Sequence, residues 1–149
     1  MNRVTAVTAL GGVVGGYGGC AVIAGRYLYP TGDDGGAWMY VTKTDSLKVG
    51  ESIPFQTPAG STVTIARQGE GETTEDFAAL SSTCPHLGCK VHWEGQNNRF
   101  FCPCHNGVFD ANGTPTAGPP ADAKQSLLRF PLKVEGGMLF VELPREQLV

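Results

Sequence analysis

The sequence predicts an all-β domain of antiparallel sheets carried behind one N-terminal helix. From residue 38 onward, short runs rich in β-branched and aromatic residues recur between Pro, Gly and Asn breaks, the pattern of strands joined by turns. No segment after residue 30 sustains a helical period over a convincing length. Before that point, residues 4–24 contain no charged side chain. A chain of 149 residues with 41% hydrophobic residues has room for one modest core, and a formal charge of −3 without any basic cluster excludes nucleic acid as a partner.

The uncharged stretch reads as a transmembrane helix within residues 1–29, extended to Leu28 if Arg26 snorkels, because roughly 20 apolar or small residues can span a bilayer. Gly11, Gly12, Gly15, Gly16, Gly18 and Gly19 weaken a free helix but let neighbouring helices approach closely, so partner helices are expected. A cleaved signal peptide fits less well, since Arg3 is its only basic start, and Tyr17 is a poor residue for lipidation at Cys20. Arg3 on one side and Asp33 and Asp34 on the other favour a cytoplasmic start, with Arg26 opposing. Residues 30–37, with Pro30, three glycines and two aspartates, read as a flexible hinge linker.

Residues 38–149 form the predicted β domain. Residues 37–43, 61–67 and 77–82 are expected strands, and residues 70–74 an exposed turn. Residues 127–134 and 138–143, joined through Glu135-Gly136-Gly137, give the clearest hairpin. Residues 90–93 and 99–101 are a further strand pair joined by residues 94–98.

Between Cys84 and Asp110 lie four of the five cysteines and all three histidines. Cys84-x-His86 and Cys102-x-Cys104-His105 each set one thiolate and one imidazole on a short loop, which suits a metal site built from two loops. Cys89 and Cys104 sit one per loop, where a disulfide could lock the loops together, and such bonds persist outside the cytosol. Tetrahedral zinc is the first rival, although zinc fingers pair Cys with Cys and His with His and need no additional cysteine in each loop. His92 lies outside both boxes and is expected to have a surface or packing role. Trp93, Phe100, Phe101 and Phe109 are expected core.

At these residues the chain resembles the Rieske iron–sulfur proteins, whose boxes C-x-H-x-G-C and C-P-C-H read here as CPHLGC and CPCH. The resemblance runs from about Phe77 to Leu143. It implies one [2Fe–2S] cluster held by Cys84, His86, Cys102 and His105, with the cysteines on one iron and the histidines on the other, and a disulfide between Cys89 and Cys104. It also implies a cluster-binding subdomain at about residues 83–120, covered by Leu87, Gly88, Asn106 and the segment Gly118-Pro119-Pro120, which reads GPP where GPxP is usual. Many relatives enter the membrane through a twin-arginine signal; here only Asn2-Arg3 is present.

The implied function is electron transfer from a quinol to a c-type cytochrome, coupled to proton release, as a subunit of a membrane cytochrome bc-type complex. His105 and His86 would accept the quinol hydrogen bond and proton. The implied partners are a cytochrome b-type subunit, a c-type cytochrome, quinol and membrane lipid, in a multisubunit and dimeric complex with the head on the periplasmic side of a bacterial inner membrane. The small subunit of a molybdenum oxidase of the arsenite oxidase type shares both boxes and is the alternative; soluble Rieske ferredoxins and ring-hydroxylating oxygenases lack the additional cysteine pair.

One departure bears on the quinone. After the second histidine many high-potential relatives read Gly-Ser-x-Tyr, with hydroxyls that donate to cluster sulfurs, whereas this chain reads Asn106-Gly107-Val108-Phe109. Donors favour the more negative reduced form, so losing two at ~1–1.5 kcal/mol each lowers the potential by roughly 60 mV apiece. The expectation is a low-potential protein paired with menaquinol, with the Asn106 amide able to restore part of the bonding.

Overall fold

The computed structural model describes residues 3–29, 36–144 and 147–148. The chain divides into two compact units, residues 1–34 and 35–149, each taken by itself. The first contains α1 (Arg3–Leu28), 26 residues long, with Arg26 in its last turn, where a cation complements the helix dipole. Tyr17, Val22, Ile23 and Tyr27 stand exposed along it. The helix forms as expected, but the bilayer span needs correction: among the described residues no helix is long and apolar enough to cross a membrane. Seven of its residues are glycine, which add length without apolar surface. The expected hinge over residues 30–37 falls almost wholly outside the described residues.

The second unit carries, in chain order, β1 (Ala37–Lys43), β2 (Ser52–Gln56), β3 (Thr62–Arg67), β4 (Phe77–Ser81), β5 (His92–Glu94), β6 (Arg99–Cys102), β7 (Gly107–Asp110), β8 (Pro115–Ala117), a one-turn helix α2 (Pro119–Asp122), β9 (Leu132–Glu135) and β10 (Met138–Leu143). These make three antiparallel sheets, β1-β10-β9, β2-β3-β4 and β5-β6-β7-β8. The all-β expectation holds.

The first two sheets share a core. Val63 and Ile65 of β3 and Phe77 and Ala79 of β4 pack with Leu139, Val141 and Leu143 of β10, and Leu47 and Phe130 close the cluster. Strand β10 alternates buried positions with exposed or half-buried ones, as period-2 side-chain placement requires. Gly136 and Gly137, at φ 58° and 73°, make the two-residue turn into it, a left-handed pair that favours glycine. The preceding strand is shorter than expected, because Pro131 removes a ladder donor. Residues 128–130 instead edge β4, where Ser81 N–H donates to Leu128 O and Phe130 N–H to Ala79 O. Strand β2 was not expected from the sequence, since Pro54 disguises it. An edge position tolerates that proline, which sits opposite Thr64.

Buried Arg67 ties the base loops together. Its guanidinium donates to the carbonyls of Thr44, Leu47, Gly69, Glu70 and Gly71 and lies over the Phe77 ring. The four-stranded sheet β5-β6-β7-β8 has its own core of Val91, Phe100 and Phe109 with Cys84 and Cys102, joined to the base through Ala66, Leu80 and Leu127. A second anchor is the Trp93 indole N–H, which donates to Gly50 O at 2.8 Å. Strand β6 alternates, so Phe100 and Cys102 face inward while Arg99 and Phe101 face out. Phe101 is therefore half-buried rather than core, with the Arg99 guanidinium and the His92 ring against it.

Candidate metal centre

Two loops at the end of the third sheet hold the clustered cysteines and histidines. The first is closed at both ends: Thr83 bridges Lys90, Cys84 N–H donates to Cys89 O at 2.8 Å, and Gly88 N–H returns to Cys84 O at 2.9 Å. Gly88 at φ 78° supplies the left-handed residue this reversal needs. The second loop is the β6–β7 connection. It starts and ends on the pair Cys102 and Gly107, and Asn106 at φ 54° takes its left-handed position, which Asn tolerates.

The loops are cross-linked by a disulfide between Cys89 and Cys104, whose Cα atoms lie 6.5 Å apart. The Sγ atoms of Cys89, Cys102 and Cys104 fall within 4.8 Å of one another. Two of those are consumed by the disulfide, so Cys102 is the thiol left there for a metal. Cys84 and Cys102 are both free and buried, at 3% and 1% exposure. Burial pushes the Cys84 thiol above its ordinary value, the backbone N–H of His86 opposes this, and neighbouring Cys102 adds to the rise.

The imidazoles of His86 and His105 meet edge to face with ring centroids 4.9 Å apart. His105 is exposed and His86 half-buried, so the centre has a dry thiol side and a wet imidazole side. Two thiols and two imidazoles match the donor set of a cluster in which histidines replace two cysteines on one iron. The residues expected to cover the site vary in exposure. Leu87 stands 69% exposed, Gly88 and Asn106 are exposed, Gly118 and Pro119 are half-buried, and Pro120 is buried.

His92 sits apart from this group, exposed, with Nε2 3.7 Å from Glu94. The Arg99 guanidinium and the Asn97 amide hold the Glu94 carboxyl below the usual range.

Residues 37–133 match the profile of the Rieske [2Fe-2S] domain. The chain belongs to that family. Its cofactor is a [2Fe–2S] cluster, and the donor set above fits one. The chain is 42% identical over 69 residues to the menaquinol:cytochrome c reductase iron-sulfur subunit of Geobacillus thermodenitrificans, covering 44% of this chain and 40% of that one. It is 30% identical over 132 residues to the cytochrome b6-f complex iron-sulfur subunit 2 of Synechocystis sp., covering 80% and 69%. Among solved structures, the plasma membrane Rieske protein PetC3 from Synechocystis superposes with a TM-score of 0.60 at 31% identity, over 70% of this chain and 99% of that one. The chain spans between 12% and 41% of the length of the first three curated relatives it matches.

Besides strand β2, sequence reasoning missed strand β7 and the burial of Arg67 in this Rieske domain. Strand β7 begins directly after the second box; the alternation of Gly107-Val108-Phe109-Asp110 is its signal. Arg67 carried none, since a cation satisfied by five carbonyls looks like any strand-end arginine.

Proposed function

We propose that the chain is the electron-transfer subunit of a membrane quinol–cytochrome c oxidoreductase of the cytochrome bc type. The asymmetry of the centre carries this reading: Cys84 and Cys102 are sealed in the core while His105 and Leu87, one on each loop, are exposed to solvent. The names of the relatives in Geobacillus and Synechocystis support it.

In this reading Cys84 and Cys102 hold one iron and His86 and His105 the other. The bound cluster supplies a one-electron acceptor and, in turn, a donor to a c-type cytochrome. His105, with His86 beside it, presents a ring nitrogen not used for iron to the quinol hydroxyl, orients it by a hydrogen bond and takes its proton. Leu87 supplies apolar surface to the quinol ring, while the disulfide fixes the spacing of the two loops. The quinol is menaquinol, because Gly107 and Phe109 bring no hydroxyl to the sulfurs and a low-potential acceptor needs a low-potential donor.

The complex is multisubunit and dimeric, includes a cytochrome b-type subunit, and sits in a bacterial inner membrane with this head on the periplasmic face.

The test is extraction of the native membrane in mild detergent, identification of the co-purifying chains, and menaquinol-dependent reduction of the centre followed by electron paramagnetic resonance. A cytochrome b-type partner and a reducible centre are expected. Co-purification with a molybdopterin subunit and no cytochrome b would overturn the proposal.

A further inference from the structure

The two buried thiols differ in how they stand to the bridge beside them. Among the described residues, Cys102 Sγ lies within 4.8 Å of both sulfurs of the Cys89–Cys104 disulfide. Cys84 neighbours Cys102 but falls outside that group of three. Cys102 is therefore within a small side-chain movement of a sulfur–sulfur bond, and a thiol beside a disulfide is a reactant as well as a ligand.

The surroundings decide which sulfur it attacks. Attack on Cys104 would tie Cys102 to Cys104 across the single residue Pro103, whose ring fixes φ, and would leave the two loops unlinked. Attack on Cys89 keeps one cross-link between the loops and closes a loop of nearly the same length, so the chain-entropy contribution hardly changes. It also releases Cys104, which is exposed, whereas Cys89 is half-buried, and access to water favours the departing sulfur. Cys102 itself is held at the end of β6 by its pairing with Gly107 and is buried, so thiols in solution reach it poorly and the neighbouring bridge is its nearest partner.

We propose that the cluster-free chain rearranges its own bridge: Cys102 Sγ attacks Cys89 Sγ, the Cys89–Cys104 bond breaks, a Cys89–Cys102 bond forms, and the proton lost by Cys102 ends on Cys104. These four cysteines hold one disulfide and two thiols before and after, so no oxidant or reductant is consumed. The rearranged chain has withdrawn Cys102 from the iron site, and a bound cluster in turn keeps Cys102 from the exchange. The centre thus has a state ready for loading and a locked one. The inference rests on Cys102 being a cluster ligand, as proposed above.

The experiment uses the full chain in detergent, once with its cluster and once produced under iron limitation so that none forms. Each is held at about pH 8 without added thiol, where exchange runs, then acidified, alkylated with a maleimide and digested, and bridged and alkylated cysteines are read by mass spectrometry. The cluster-free wild type is expected to show Cys89–Cys102 with alkylated Cys84 and Cys104, in an amount within about tenfold of Cys89–Cys104, because the two loops are so alike in length. The loaded chain is expected to keep Cys89–Cys104. Cluster-free Cys84→Ala should exchange as wild type does, and Cys102→Ala should keep the original bridge. Cys89–Cys104 alone in the cluster-free wild type, the same mixture in loaded and cluster-free chains, or Cys84 in the new bridge would overturn the proposal. Iron and sulfide content of Cys102→Ala reads the ligand assignment separately: full loading there would remove Cys102 from the iron site while the peptide map still reports whether the bridge moves.

Discussion

Replacing Cys89 and Cys104 together by alanine removes the covalent link between the two loops. The linked cysteines are 15 residues apart, and in the chain-entropy account closing a loop of that size stabilises the folded state by ~3 kcal/mol at 25 °C. That is a large share of the ~5–15 kcal/mol that holds a typical domain together. The loss is expected to be local, because the base strands draw on a different core, built on Ile65, Phe77 and Val141. In the cluster-free protein, the amides of Cys84 and Gly88, which bond to Cys89 O and Cys84 O, should exchange faster by a factor on the order of 100, at 1.36 kcal/mol per tenfold. The β3 and β4 amides should keep most of their protection. Hydrogen exchange read residue by residue checks this. Unchanged protection at Cys84 and Gly88, or an equal loss along β3, would refute a tip stabilised locally by its cross-link.

Arg67→Met should lower stability by ~3–5 kcal/mol in urea titration, since five carbonyls lose a charged donor and at least two of those bonds are buried. Phe109→Tyr places a hydroxyl in the core that also holds Cys84 and Cys102, and should raise the midpoint potential by about 60 mV if it reaches a cluster sulfur; an unmoved potential at full loading would count against the missing-donor account. Asp76 is held below its ordinary range, first by the Thr73 hydroxyl and then by backbone N–H groups. A carboxylate with a depressed folded value stabilises above its unfolded value and loses that contribution as pH falls through the folded one, so wild type should lose stability below about pH 4 more steeply than Asp76→Asn in acid titrations.

Much of the domain was legible because its signals are local. Strand β1 and the turn at Gly136-Gly137 follow from alternation and from two residues that tolerate positive φ. Strand β2 was hidden, because Pro54 argues against a strand unless the strand is known to be an edge, and edge position is a property of the sheet. The segment before β9 failed for a related reason. Its apolar run is real, but Pro131 divides it between two sheets, and only their relative placement shows where.

The spacing of cysteines and histidines by itself determined a metal site on two loops, because metal ligation demands particular donors at short offsets along the chain, and the resemblance of its two boxes to a known family implied the cluster. It also supplied a helix, though not one apolar enough to span a membrane. Tertiary structure alone decided which side of the centre is dry, that Phe101 faces outward, that Arg67 is buried, and that Pro120 lies against Gly107. Those are contacts between residues far apart in sequence, and burial depends on what the rest of the chain packs against them.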